Sequence, residues 1–164
     1  MIGATLSVFI LAGVLSAFLF LARSGANLQN YASMESEARK SLEQFAQDTR
    51  QASAITWNSS TSVTLIVDSA NITYAYTSST GQFTRDTTST NVTTTLLTGI
   101  TSFTYSAYDI NGTAVSLESL TDAGKITKQL QISLKALRSS STVVGATNTV
   151  LSARYILRNK RITI

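Results

Sequence analysis

The chain has no cysteine, no histidine and no proline in 164 residues. The first two absences exclude disulfide staples, Cys/His zinc sites, and every catalytic dyad or triad that uses a thiol or an imidazole. The third leaves long helical stretches without an internal break. Charge is scarce as well. Asp, Glu, Lys and Arg make up 13% of the residues, about half the ~25% of an ordinary soluble domain, and Ser and Thr are abundant. A hydroxyl-rich, weakly charged surface fits secreted and surface structures better than cytosolic enzymes. At 17.6 kDa the length suits one domain plus an appendage. All nine acids lie between Glu35 and Asp122, whereas the residues from Lys125 onward carry eight Lys or Arg and no acid. Such a basic tail points to a nucleic-acid or membrane partner, or to a subunit whose basic face meets the acidic face of the next copy. The last is preferred, because one chain carries both signs on separate segments.

What the sequence does have is a long apolar start. Met1 to Ala22 contains no charged residue, and 22 helical residues at ~1.5 Å each span ~33 Å, enough for the hydrocarbon core. A cleavable signal peptide would open on basic residues, and this segment does not. It is apolar on all sides, the pattern of a helix buried in lipid or among other helices. Gly3, Ala4, Ala12, Gly13, Ser16 and Ala17 permit close approach of a second helix. After Arg23 the helical period continues. Leu28, Tyr31, Ala38, Leu42, Phe45, Thr49 and Ala52 recur at spacings of three, four and seven, with charged and amide residues between them. One helix to about residue 53, with a bend expected near Gly25, is the simplest reading. Its first half finds no partner within so small and polar a chain.

From Ala54 the pattern becomes short alternating or β-branched runs between Ser/Thr/Asn/Gly clusters. Strands are expected at 54–57, 62–67, 72–77, 82–86, 102–109, 125–137 and 149–159, with 92–97 a strand or a loop, and Ser139–Asn148 a polar loop. Asn111-Gly112 marks a hairpin turn. Hairpin-like succession without intervening helices argues for an antiparallel meander. The expected class is α+β. Residues 1–24 form an apolar projecting helix, 25–53 its amphipathic continuation lying on the sheet through Leu28, Tyr31, Ala38, Leu42 and Phe45, and 54–164 a β-rich head.

This arrangement resembles the type IV pilins and the pseudopilins of type II secretion. The likeness lies in MIGATLSVFILAGVLSAFLFLA (1–22), in SEARKSLEQFAQDTRQASAI (Ser36–Ile55), similar to the helix end of PilW-like and GspJ-like prepilins, and in the closing LSARYILRN (Leu151–Asn159). The resemblance implies a subunit that waits in the inner membrane and is extracted by pilus assembly machinery into a helical homo-oligomeric filament at the cell surface. It also implies prepilin processing, an N-methylated first residue and a nearby glutamate. Here the first residue is Met1 and the first acid is Glu35, so the glutamate's role is carried onto no position, and a few mature residues are expected before Met1. The helix-breaking proline of many pilins is absent too. Filament-core packing falls to Ile2, Leu6, Phe9, Ile10, Leu11, Val14, Leu15, Phe18, Leu19 and Phe20.

No constellation points to catalysis, and an enzyme is not expected. Asp68, Asp86, Asp109 and Asp122 sit in or beside turns, where Asp bonds its own backbone. No phosphate loop, dinucleotide motif or calcium-loop spacing occurs, so neither cofactor nor metal is expected. Asn58, Asn71, Asn91 and Asn111 each head an N-x-S/T sequon, a candidate for glycosylation. The aromatics Trp57, Tyr74, Tyr76, Phe83, Tyr105, Tyr108 and Tyr155 read as sheet packing. Only Tyr155, between Arg154 and Arg158, has the basic-aromatic interleaving of a nucleic-acid surface, so nucleic acid ranks low as a partner. Three readings stay open: a main filament subunit, a minor pilin or pseudopilin that primes or caps, and a membrane-anchored head that binds polysaccharide or DNA.

Overall fold

The computed structural model describes residues 2–88, 90, 92–140 and 143–161, with side chains omitted at 2, 4, 5, 138–140 and 143–149. The core packing expected of Ile2 and the sequon at Asn91 therefore lie outside the described side chains and residues, respectively.

Helix α1 (Ile2–Gln51) is one 50-residue element, ~75 Å long. Its hydrogen-bonded run passes through Gly13 and Gly25 without interruption. It ends where Ala52 N–H donates to Asp48 O and Ser53 N–H donates across to Ile66 O, which turns the chain into the first strand just as β-branched residues begin.

Two antiparallel sheets follow, where the sequence suggested one. The first has five strands in meander order, β1 (Ala54–Ser59), β2 (Ser62–Val67), β3 (Ala70–Thr77), β4 (Gln82–Thr87) and β5 (Val92–Leu97). The β2–β3 hairpin closes on Asp68 and Ser69, both at positive φ, the mirror-image turn that matches strand twist. The second sheet has the order β7-β6-β8-β9, from β6 (Ile100–Tyr108), β7 (Ala114–Val115), β8 (Gln129–Ser140) and β9 (Val143–Ile156). The chain changes sheets at Gly99. Its φ is +73°, and a Cβ there would stand 2.4 Å from Leu137 O, so only glycine lets the two backbones meet.

Two strand assignments are corrected. Lys125 and Ile126 belong to a short helix, α2 (Leu120–Ile126), and β8 starts only at Gln129; Ile126 is exposed and not on the sheet's inner face. Within Ser139–Asn148, expected as a loop, residues 139–140 and 143–148 are strand, with Leu137 paired to Asn148 and Ser140 to Val143. Its Ser/Thr-rich stretch looked like a loop because hydroxyl residues favour turns. Thr is nonetheless a good strand former in a paired ribbon.

The core lies where α1 and both sheets meet. Phe45 is completely buried, with its ring 4.9 Å from Tyr74, 6.1 Å from Tyr105 and 5.7 Å from Tyr155. Val63, Leu65, Phe83, Leu97, Leu130, Ile132 and Leu157 are among the other members of the buried cluster. A long N-terminal apolar helix followed by antiparallel sheets is a pilin-like arrangement.

Candidate functional site

The first half of α1 is the most unusual surface of the molecule. Leu6, Phe9, Ile10, Leu11, Val14, Leu15, Phe18, Leu19, Phe20 and Leu21 are all exposed, Phe9 by 78% and even Val14, the least open of them, by 49%. The helix is long and apolar enough to cross a membrane, with a mean hydropathy of 2.2 in its most apolar stretch. Burial of each such side chain is worth ~1.5–3 kcal/mol. A contiguous apolar surface on this scale is the mark of a lipid or protein partner.

The second half of α1 fastens the head. Ala38 and Phe45 are buried, and Leu42 packs against the core from a half-buried position, as expected. Leu28 and Tyr31 are not packed on a sheet. They are 70% and 45% exposed, whereas Met34, which the stripe reading missed, is fully buried. Ser41 Oγ lies 2.7 Å from both Glu37 O and Leu96 O, joining the helix to the end of β5.

A buried carboxylate also joins helix to sheet. Asp48 accepts hydrogen bonds from Tyr74 Oη at 2.6 Å, Arg85 Nε at 2.8 Å and Gln44 Nε2 at 3.2 Å. Burial, with the Asp48 carboxylate second, pushes the Tyr74 hydroxyl far above its ordinary range. For Arg85, burial is the largest influence and disfavours the charge, but the hydrogen bond to Asp48, the Asp48 charge and Tyr74 together outweigh it and the net shift is upward. The sequence carried a faint signal for this link, since Asp48 falls between Phe45 and Ala52 on the apolar stripe. Of the other aspartates, Asp109 behaves as expected, with its carboxylate accepting Asn111 and Thr113 N–H. Asp86 lies inside β4, one residue from its end, and Asp122 lies in the first turn of α2, paired with Lys125 at 3.0 Å.

The C-terminal segment is held by lysines. Lys160 is buried and donates to Lys125 O at 2.6 Å and Thr127 O at 2.8 Å, while Lys128 Nζ donates to Lys160 O. Burial, then the neighbouring Lys128, pulls the Lys160 ammonium below its ordinary pKa.

A groove of about 620 Å³ runs between α1 and β9, over Leu42, Ala46 and Tyr155. At its end a smaller cleft of about 150 Å³ is lined by Arg50, Arg154, Tyr155 and Arg158. The Arg154 guanidinium lies 3.5 Å from the Tyr108 ring centroid and donates to Gln131 Oε1. Arg50 stands 5.9 Å from the Tyr155 ring. Among the described residues none of these three arginines is in an ion pair, so the cleft can take an anionic group. Among the candidate sequons, Asn58 and Asn71 are exposed on β1 and β3, not in turns, and Asn111 is exposed in the β6–β7 turn.

No protein-family model matches the chain, and no curated protein matches it.

Proposed function

We propose that the chain is a structural subunit of a type IV pilus-like helical filament, held in a membrane before assembly and polymerised through the apolar half of α1. The observation that carries this reading is that half itself: eleven large apolar side chains, Leu6 to Leu21, exposed on a helix continuous with the one that packs on the head. In a dry helical core they satisfy one another. The sequence likeness to pilins adds processing, N-methylation and export by pilus assembly machinery to the same reading, and the likeness to minor pilins keeps a priming or capping role as its variant. A Val14→Asp substitution is expected to abolish polymerisation while the head stays folded. Electron microscopy of sheared material, beside circular dichroism of the head lacking residues before Gly25, checks both halves of that statement; normal filaments from the variant would sink it.

One observation favours a second reading, a membrane-anchored head that binds an anionic polymer such as DNA. Arg50, Arg154 and Arg158 line a single cleft without a carboxylate among its lining residues. That reading expects a detergent-solubilised monomer whose thermal midpoint rises with added DNA, and whose binding weakens steeply with salt.

A further inference from the structure

A separate pocket of about 350 Å³ opens between β1, α2 and the segment that follows β9, with no residue of α1 in its lining. Its apolar walls are built locally. Ile55 and Trp57 take alternate positions of β1 and are both buried, so they share one face of the strand. Gly124 lets α2 come close to that strand, since a Cβ there would stand 3.2 Å from Ile55 O. Leu120, in the first turn of α2, adds to the apolar lining.

The rest of the lining is cationic. It includes Lys125, Lys160 and Arg161, and no acid among the described residues. Lys125 is already paired with Asp122, whereas Lys160 and Arg161 are in no ion pair among the described residues. Lys160 is the unusual member. It is only 6% exposed, and its ammonium donates to Lys125 O and Thr127 O. A third N–H is left without a protein acceptor among the described residues. The charge beside it, on Lys128, has the same sign. A buried cation without a counter-ion is costly, and an anionic group entering the pocket supplies one. The bilayer is not the source of that group. Gln51, the last residue of α1, lies 28 residues past Arg23, ~42 Å along the helix, so lipid headgroups beside the apolar run are far from the pocket.

We propose that this pocket binds a small organic anion with an apolar body, its charged group taken by Lys160 and Arg161 and its apolar part lying against Ile55, Trp57 and Leu120. The volume is at the small end of the range for such ligands, which is ~300–1,000 Å³. The inference goes beyond the filament reading and does not depend on it.

Trp57 is the only tryptophan in the chain, so its emission reports the site. Its indole N–H donates to Thr127 Oγ1 at 3.3 Å, and the Thr127 carbonyl is one of the two that hold Lys160. Phenyl phosphate is titrated into the full chain in a nonionic detergent, beside inorganic phosphate and neutral benzyl alcohol. A saturable change in Trp57 emission is expected with phenyl phosphate, with a Kd about tenfold or more below that of either control. Lys160→Met should abolish the response. Because Lys160 also holds the C-terminal segment, Arg161→Gln, at an exposed position, is the second variant and should weaken binding about tenfold. Lys135→Gln removes an equal charge from an exposed position of β8 outside the pocket and should leave binding unchanged. No saturable response, equal binding of benzyl alcohol, or equal affinity in the Arg161→Gln and Lys135→Gln variants overturns the site. Inorganic phosphate that binds as tightly as phenyl phosphate overturns the ligand class.

Discussion

The Tyr74 hydroxyl and the Arg85 guanidinium donate to the same oxygen of Asp48, at 2.6 and 2.8 Å. One carboxylate on α1 thereby fixes the helix to β3 and β4 at once. Asp48→Ala leaves a buried phenol and a largely buried cation without their acceptor. Breaking such an arrangement costs about 3 kcal/mol, whereas Asp48→Asn keeps an acceptor and should cost less. Urea unfolding of the head lacking residues before Gly25 measures both, and equal loss in the two variants would contradict the role given to the charge.

Phe45 and Leu28 occupy the same predicted stripe and should behave oppositely. Phe45→Ala empties the junction of the helix and two sheets and is expected to cost ~3–5 kcal/mol of head stability. Leu28→Ala, at an exposed position, should change it by less than ~0.5 kcal/mol. Thermal melts of the two variants decide the point.

Alkaline pH should destabilise the head. Burial raises the pKa of Tyr74, and burial, with the neighbouring Tyr74 second, raises that of Tyr105 far beyond its ordinary value. In the unfolded chain both ionise near pH ~10. The stability they contribute is complete below that pH and falls as pH rises above it, by about 1.4 kcal/mol per unit for each tyrosine. Lys160 acts the other way, because its folded pKa is lowered. Its effect is a gain in stability between that lowered value and the ordinary lysine range near ~10.4, and it is flat above. Urea midpoints taken from pH 8 to 12 should therefore decline above pH ~10.5, and Tyr74→Phe should make that decline shallower.

Gly99→Ala should be costly out of proportion to one methyl group. A positive φ and a carbonyl 2.4 Å from the added Cβ combine backbone strain with a steric clash, and a loss of at least ~1–3 kcal/mol is expected. Gly13→Ala, with open space around it, should leave the head's melting temperature unchanged.

The helix and most strands were legible because their signals are local. Val63, Leu65 and Val67 alternate as a half-buried strand must, and the β2 bounds at Ser62 and Val67 are those observed. What sequence reading lost depends on contacts between distant segments. The split into two sheets rests on Gly99 meeting Leu137, which strand periodicity does not encode. Lys125 and Ile126 entered α2 because Ser119 and Asp122 open a short turn there, with Ser119 Oγ bonded to Asp122. Leu28 and Tyr31 kept the helical period of Ala38 and Phe45, but a period fixes a face of a helix and not how far along it a sheet extends. The candidate interaction surface was the easiest part to see, since 22 uncharged residues need no tertiary context. The arginine cleft was foreshadowed only by Arg154, Tyr155 and Arg158 standing together, and Arg50 joins them solely through the fold.

The most direct test of the central claim is cryo-electron microscopy of filaments sheared from the native cells. The account predicts filaments in which this chain is traced in every subunit, with residues 6–21 buried in a helical core and the two-sheet heads outside. Cells whose filaments contain none of this chain, with the protein recovered from their membranes as a monomer, would contradict it.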